Sequence, residues 1–410
     1  MQVPAPLAES RSGKSSALRL TVVIATAHAL NDAYASFVPP LLPRIMGDLG
    51  LSIALATTLG VTFSVASAFP QPLFGYLADR FGRRIFAVLG PVLSGVFVAL
   101  MGWANGFWML VLFLMIAGIG SAAFHPPGAS YAVRVTEGKG GGARYSVFSF
   151  GGAVGFALGP LIAVALVQSR GMEGLWVAML PVVMVAPLIY LGLPSGREES
   201  RETSRPPPPP PQEVLRHLRG PLGLIFGISA IMAFVQRTFL IMEPIIVSES
   251  GGSETLGAVA LSVYLGAQAF GTITGGVLAD RVDRRLLLAH LCFWAVPAHL
   301  IAVLLGPGGP LGLVAIAVAG FLGLATLPPI VVMAQELVPT GTAVSSGIVM
   351  GLAWATGSVA VLVTGGVADV IGPQAATLLS MPVALLAVAL ALRPSLSRPP
   401  AVGSATMMGD

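Results

Sequence analysis

The stretch Gly75-Tyr76-Leu77-Ala78-Asp79-Arg80-Phe81-Gly82-Arg83-Arg84 recurs 201 positions later as Gly276-Val277-Leu278-Ala279-Asp280-Arg281-Val282-Asp283-Arg284-Arg285, with seven of the ten residues identical. Each copy is a charged segment between two long apolar runs. A charged segment that recurs at about half the chain length, inside an otherwise apolar chain, predicts two homologous membrane halves.

The composition supports a membrane protein. Only 10% of the 410 residues are charged and 55% are hydrophobic, whereas a soluble domain carries about 25% charged residues. The apolar runs are long enough to cross a bilayer as helices, and they lack the short alternating pattern of a barrel. We therefore expect an all-α membrane protein whose main partner is the lipid bilayer. The pI of about 9.6 does not indicate nucleic acid, because basic residues in a membrane protein report its topology.

Hydrophobicity predicts twelve transmembrane helices in two pseudo-symmetric six-helix bundles. The predicted spans are 18–46, 51–78, 84–104, 107–134, 144–168, 174–194, 221–248, 255–279, 285–306, 309–337, 342–366 and 373–393. The domain prediction is a tail at 1–17, a first bundle at 18–194, a proline-rich linker at 195–220, a second bundle at 221–393 and a tail at 394–410.

The distribution of basic residues predicts the orientation. With a cytoplasmic N-terminus, 19 of the 22 Lys and Arg residues lie inside, Arg44 and Arg170 lie outside, and Arg237 lies within a span. The opposite orientation would invert the positive-inside bias, so both termini are expected to be cytoplasmic. Residues 1–17 lack the cleavage pattern of a signal peptide and are interpreted as a short tail.

The halves also match in their fourth and tenth spans. Residues 118–127 read Gly-Ile-Gly-Ser-Ala-Ala-Phe-His-Pro-Pro, and residues 320–329 read Gly-Phe-Leu-Gly-Leu-Ala-Thr-Leu-Pro-Pro. The shared double proline predicts the same helix kink in both halves. His125 is replaced by Leu327 in the second copy, and a polar group present in one half alone is a candidate for function.

These motifs resemble those of the major facilitator superfamily, whose signature loop is similar to residues 75–84. The run Gly155-x-x-x-Gly159-Pro160 resembles the glycine-proline motif of its antiporters, although Leu161 and Ile162 stand where small residues are expected. Within the superfamily the chain is most similar to the fosmidomycin resistance group of bacterial efflux carriers. This similarity rests on His28-Ala-Leu-Asn31-Asp32, Phe124-His125-Pro126, residues 334–339 and residues 346–353.

The resemblance implies a central cavity lined mainly by spans one, four, seven and ten, and a location in a bacterial inner membrane. It also implies that Asp79 and the basic residues of its loop latch the cytoplasmic side of the outward-facing state. By analogy we expect a monomer. The predicted gating residues of both loops and of span ten are Gly75, Asp79, Arg80, Arg83, Arg84, Asp280, Arg281, Arg284, Arg285 and Glu336.

No motif for covalent or nucleotide chemistry is present. The glycine run at 138–142 follows no strand and lacks the Lys-Ser/Thr ending of a phosphate-binding loop, and there is no nucleophile elbow or His-Glu-x-x-His motif. We therefore expect no enzyme activity, no cofactor and no metal, and an ion or substrate gradient as the energy source.

Asp32 is the predicted proton carrier. It lies 13 residues beyond Arg19, about 20 Å into the bilayer at 1.5 Å per residue. A carboxylate at that depth must pair, face water or take up a proton. His28 and Asn31 share its helical face. The alternative is a structural polar cluster that holds span one against its neighbours.

His125 and His28 are each nine residues from the inner edge, at an estimated depth of about 13 Å. Spans one and four can therefore place the two imidazoles in one polar site, where they would relay protons or bind substrate. The alternative for His125 is a hydrogen bond to a carbonyl freed by Pro126 or Pro127.

Arg237 is the predicted anion-binding residue of span seven, and Asp32 is one candidate partner across the cavity. The alternative is that the Arg237 side chain snorkels to the outer interface. Glu243 is assigned to that interface. Gln236 and Gln335 are further substrate-binding candidates, beside Asn31 and the two histidines. Gly155, Gly159 and Pro160 are assigned to helix packing, because small residues four apart allow close approach.

Three functions follow from these assignments. The first is a proton-coupled antiporter that exports a small organic compound. The second is a proton-coupled symporter that imports an organic anion bound at Arg237. The third is a sensor or assembly subunit without transport, and the buried polar groups Asp32 and His125 argue against it. A divalent metal at the Asp/Asn/His cluster ranks low, because no second carboxylate lies nearby in the sequence.

Overall fold

The computed structural model describes residues 11–134, 141–194, 218–338 and 342–396. The proline-rich linker up to residue 217 and the outer parts of both predicted tails lie outside these ranges. Regular secondary structure in the described residues is helical.

The α-helices are numbered here in chain order. They are α1 (Arg11–Ala35), α2 (Val38–Leu49), α3 (Ile53–Ala68), α4 (Gln71–Phe81), α5 (Arg83–Ala99), α6 (Phe107–Arg134), α7 (Gly141–Arg170), α8 (Met179–Gly192), α9 (Pro221–Glu249), α10 (Glu254–Ala279), α11 (Arg284–Leu305), α12 (Pro310–Ala325), α13 (Leu327–Leu337), α14 (Thr342–Gly347), α15 (Ala353–Ile371), α16 (Pro373–Ser380) and α17 (Ala384–Ala391). Short 3₁₀ helices cover Leu100–Trp103, Met172–Ala178, Met381–Val383 and Pro394–Leu396, and a π-helical turn covers Ile348–Leu352.

In the described part of the chain, 11 helical segments are long and apolar enough to cross a membrane, so this is a multi-pass membrane protein. They coincide with the second to twelfth predicted spans. The predicted first span is split between α1 and α2 at Ser36 and Phe37. Pro39 and Pro40 explain the split, because neither has an N–H to donate to the preceding turn.

The double prolines of the two halves behave differently. Helix α6 runs through Pro126 and Pro127, whereas α12 ends at Ala325 and α13 begins at Leu327, next to Pro328. Among the described helices, the interruption at the double proline therefore lies in the second half, while the shared kink stays a prediction.

Close helix contacts surround the predicted glycine-proline motif. A Cβ atom on Gly155 would lie 2.7 Å from the carbonyl carbon of Ala29, and one on Gly159 would lie 3.1 Å from that of Ala33. Helix α7 therefore packs backbone to backbone against α1, as small-residue faces allow, and this packing fixes the helix that carries Asp32.

The sequence repeat is also a repeat of contacts. Gly75 faces Pro126, and Gly276 faces Pro328 in the same way, since a Cβ atom added to each glycine would lie 3.6 and 3.8 Å from the respective proline Cβ. Arg84 donates to the carbonyl of Tyr190, and the matching Arg285 donates to the carbonyls of the matching Ala391 and its neighbour Leu392. Each half is thus tied together at the end of the molecule that bears the charged loops, called the loop end below.

Polar contacts between the halves lie at the other end, called the opposite end. Arg44 on α2 makes a bidentate ion pair with Glu254 at the start of α10, at 2.7 and 3.0 Å. The Asp369 carboxylate accepts the N–H groups of Ile53 and Ala54 at the start of α3, at 2.7 and 3.2 Å. Together with the α3–α15 and α7–α10 packing, these contacts close the opposite end.

Candidate functional site

The centre of the candidate site is one face of α1. His28 Nε2 lies 3.1 Å from Asp32 Oδ2, one helical turn apart. Asn31 donates from Nδ2 to Asp32 Oδ1 at 3.0 Å and to Ser121 Oγ at 3.1 Å. The Asn31 side chain is fully buried, so it fixes the carboxylate of Asp32 relative to α6.

Helix α6 brings the second imidazole to the same carboxylate. His125 Nε2 lies 3.5 Å from Asp32 Oδ1, and the ring centroids of His28 and His125 are 5.7 Å apart. Asp32 therefore lies between two imidazoles, one on each carboxylate oxygen. The structure brings together the three residues assigned to proton coupling, while their roles stay predictions.

The far side of each imidazole is held by a backbone carbonyl. His28 Nδ1 lies 3.0 Å from the Phe148 carbonyl, and His125 Nδ1 lies 2.8 Å from the Ser121 carbonyl. The alternative for His125 is a hydrogen bond to a carbonyl freed by a proline. Pro126 and Pro127 lack an N–H, so they free the carbonyls of Ala122 and Ala123, four residues earlier. The observed partner is instead the carbonyl one turn before His125.

The cluster is only partly enclosed. The side chains of His28, Asp32 and His125 are 13%, 18% and 33% exposed, whereas Phe124 and Phe148 beside them are buried. The ring of His28 also stacks on Phe148 at 4.2 Å. A proton or small ligand can thus reach the carboxylate from one side, while the imidazoles are held from the other.

The substrate-binding candidates of the second half lie in two places. Gln236 donates to the carbonyl of Gly323 at 3.3 Å and accepts from Gln268 at 2.9 Å, inside the membrane-spanning region. Gln335 donates to Ser346 at 2.9 Å near the loop end. The structure does not join Gln335 to the Asp32 cluster by any hydrogen bond in the described residues.

Arg237 does not make the ion pair with Asp32 that the sequence suggested. Its guanidinium carbon lies 5.4 Å from the ring centre of Trp354, which is within range of a cation–π interaction. Its buried Nε has no hydrogen-bond partner among the described residues. In this part of the chain no ion pair joins it to Asp32, so the predicted pairing across the cavity is not observed.

Glu243 does not lie at the outer interface, where the sequence placed it, but is buried inside the protein. Its side chain is 1% exposed, and neither carboxylate oxygen has a hydrogen-bond partner within the described ranges. The sequence placed Glu243 at the outer interface because it lies near the end of its span. It is buried because α9 packs against several neighbouring helices along its whole length.

Sequence reasoning missed a buried polar group in the second half. The Tyr264 hydroxyl lies 2.9 Å from His299 Nε2, and Phe239 stacks on the Tyr264 ring at 4.4 Å. The repeat contained a usable signal, because the positions that match Tyr264 and His299 in the first half are Phe63 and Val98. Tyr264 and His299 are thus polar groups present in one half alone, as His125 is.

The predicted latch residues make contacts within their own halves. Arg83 pairs with Asp79 at 2.7 Å, and Arg284 pairs with Glu336 and donates to the Ala279 carbonyl. The guanidinium of Arg84 also lies 3.7 Å from the ring centre of Tyr190. Three further predicted members are solvent-exposed at the loop end: Arg80, Asp280 and Arg281.

Comparison with known proteins identifies one family. A family model for the Major Facilitator Superfamily matches residues 24–345 and, in a second match, residues 224–407. The fosmidomycin resistance protein of Escherichia coli (strain K12) is 26% identical over 84% of this chain and 85% of its own length.

Two solved structures share the fold. One is a bacterial homologue of the human lysosomal transporter Spinster in an inward-facing, unoccupied conformation, with a TM-score of 0.74, 18% identity and coverage of 94% of this chain and 97% of the other. The second is a D-xylose-proton symporter, with a TM-score of 0.73, 14% identity and coverage of 92% and 98%.

Proposed function

The chain belongs to the Major Facilitator Superfamily, and we propose that it is a proton-coupled antiporter that exports a small organic compound by alternating access. In this proposal it is a monomer in a bacterial inner membrane, with twelve spans in two six-helix bundles and both termini in the cytoplasm. The proton gradient is its energy source.

The observation that carries the proposal is the position of Asp32 between two imidazoles, at 3.1 and 3.5 Å. An acid within a membrane span is costly and indicates function by default. A proton that enters this cluster from outside would neutralise Asp32 and weaken the attraction for a bound substrate. Release of the proton to the cytoplasm would then restore the site.

The similarity to the fosmidomycin resistance protein supports export as the direction and a drug-like compound as the substrate. The family resemblance rests in part on the segment that holds His28, Asn31 and Asp32. The polar contacts between the halves at the opposite end support a carrier captured with that end closed.

The second candidate function is a proton-coupled symporter that imports a small organic anion. Arg237 favours it, because a guanidinium with an unpartnered, buried Nε is suited to an anionic ligand. The fold is shared with a D-xylose-proton symporter as well, so the fold alone does not decide the direction.

The test is a drug-susceptibility panel, including fosmidomycin, in an efflux-deficient bacterial host. It compares wild type, Asp32→Asn, Asp48→Asn and empty vector at matched membrane expression. Asp48→Asn is the matched control, because Asp48 is exposed at the end of α2. We expect resistance with wild type and Asp48→Asn, and its loss with Asp32→Asn.

Resistance that survives Asp32→Asn would exclude Asp32 as the proton carrier. Sensitisation to an anionic compound by the wild type would favour the symporter instead. In that case Arg237→Gln should abolish the sensitisation, because the guanidinium is the proposed anion site.

A further inference from the structure

We propose that His28, Asp32 and His125 form a binding site for a divalent transition-metal cation of the zinc class. The proposal uses the side chains of the transport site but does not depend on transport, because a cation would bind to the resting carrier. The three residues each offer one ligand atom, and these atoms all lie within 4.8 Å of one another.

The distances fit a tetrahedral ion. Zinc bonds to imidazole nitrogen and carboxylate oxygen are about 2.0–2.1 Å long, so two tetrahedral ligands lie about 3.3 Å apart. The two nitrogen–oxygen distances in the cluster are 3.1 and 3.5 Å. Small side-chain movements would bring the two imidazole nitrogens to the same separation.

The hydrogen bonds orient both imidazoles as ligands. A carbonyl oxygen can only accept, so the Nδ1 atoms that face Phe148 and Ser121 carry hydrogen. In the neutral imidazoles the lone pairs are then on Nε2, and both Nε2 atoms face Asp32. A lone pair that faces a carboxylate oxygen is repelled unless a proton or a metal cation lies between them, so a metal ion can take the place that a proton otherwise fills. Metal-binding histidines are held in this way by backbone carbonyls.

The ligand set selects the class of cation. Two imidazoles and one carboxylate suit zinc, cobalt or nickel, whereas calcium and magnesium require more oxygen ligands. Three protein ligands leave a fourth position for water or another ligand. Since the side chain of His125 is 33% exposed, this position can be reached from outside the cluster. The sequence ranked a metal low for lack of a second carboxylate, and the second imidazole from α6 supplies the missing ligand.

The test is cobalt binding to the purified full-length carrier with its affinity tag removed. Tetrahedral Co²⁺ gives a visible absorption band, and Zn²⁺ should displace it. The measurement is made at mildly alkaline pH, because metal binding to imidazole releases protons and is therefore favoured by a higher pH. Wild type is compared with His28→Gln, His125→Gln, Asp32→Asn and the control His290→Gln. His290 is exposed on α11 and, within the described ranges, its one hydrogen bond is to the Leu286 carbonyl of its own helix.

We expect one cobalt ion per chain for wild type and His290→Gln, and affinity at least about tenfold lower for each cluster variant. The proposal is overturned if wild type binds no cobalt, or if His125→Gln binds it as tightly as wild type. His125 is the most exposed of the three, so a folded His125→Gln protein, checked by gel filtration, decides the result if another variant fails to fold. Neither substrate nor gradient is present, so this outcome and that of the resistance panel are independent.

Discussion

At the scale of the residue, Gly152 determines where His28 can lie. A Cβ atom on Gly152 would lie 2.6 Å from His28 Nε2 and 2.7 Å from Nδ1, and the ring cannot retreat because it stacks on Phe148. We expect Gly152→Ala to displace the imidazole from Asp32 and to lower export by about tenfold or more, as small misplacements at reacting groups do.

The measurement is resistance at matched membrane expression, and Gly366→Ala is the control. Gly366 is exposed on α15, and a Cβ atom there would meet nothing within 4 Å. Alanine also favours a helix over glycine. Wild-type resistance in Gly152→Ala would show that the position of His28 is not important for export.

Single residues also show how far sequence reasoning reaches. The proximity of His28 and His125 could be predicted, because the helical rise fixes how deep each residue lies in its span. The burial of Glu243 could not, since depth along a helix does not specify which face meets a neighbouring helix. Trp354 beside Arg237 was missed for the same reason.

At the scale of the element, Asp369 connects the two halves. Its carboxylate accepts both N–H groups that begin α3, although it lies on α15. Asparagine would lose the charge that favours a helix N-terminus and would turn an amide N–H toward one donor. We expect Asp369→Asn to shift the carrier toward a state that is open at the opposite end.

Labelling of Thr57→Cys measures this shift. Thr57 is fully buried on α3, and a Cβ atom on Gly365 of α15 would lie 2.6 Å from its hydroxyl, so a thiol there is reached only when the halves separate. Asp369→Asn should raise the labelling rate by about fivefold or more, the effect of one hydrogen bond to a charged group after screening.

The matched control is Asp283→Asn. Asp283 also caps a helix, since it accepts the Leu286 N–H at 2.9 Å, but it does so within one half at the loop end. Equal labelling in both variants would mean that the Asp369 cap stabilises α3 without holding the halves together.

The sequence predicts where the transmembrane spans lie better than where a helix breaks within a span. Hydrophobicity located the spans because a bilayer demands long apolar helices. It did not locate the breaks at Ser36 and Thr326. Prolines at 39 and 328 accompany these breaks, yet Pro126 and Pro127 lie inside a continuous helix. The same residue type therefore gives different outcomes, and neighbouring helices decide between them.

At the scale of the whole molecule, the charged loops predict which end faces the cytoplasm. Glu249 is exposed at the opposite end and Val282 is exposed at the loop end. Cys292 is fully buried, so the native thiol gives little background labelling. A membrane-impermeant maleimide should label Glu249→Cys in intact cells and leave Val282→Cys unlabelled.

Inside-out vesicles should give the reverse pattern, because the same two positions then exchange their access to the reagent. Labelling of Val282→Cys in intact cells would place the loop end outside and invert the proposed topology. In the expected orientation, the closed opposite end faces outward, so we expect the partly exposed Asp32 cluster to be reached from the cytoplasm. A compound to be exported would then reach Asp32 from the cell interior, which is the direction that the proposed antiport requires.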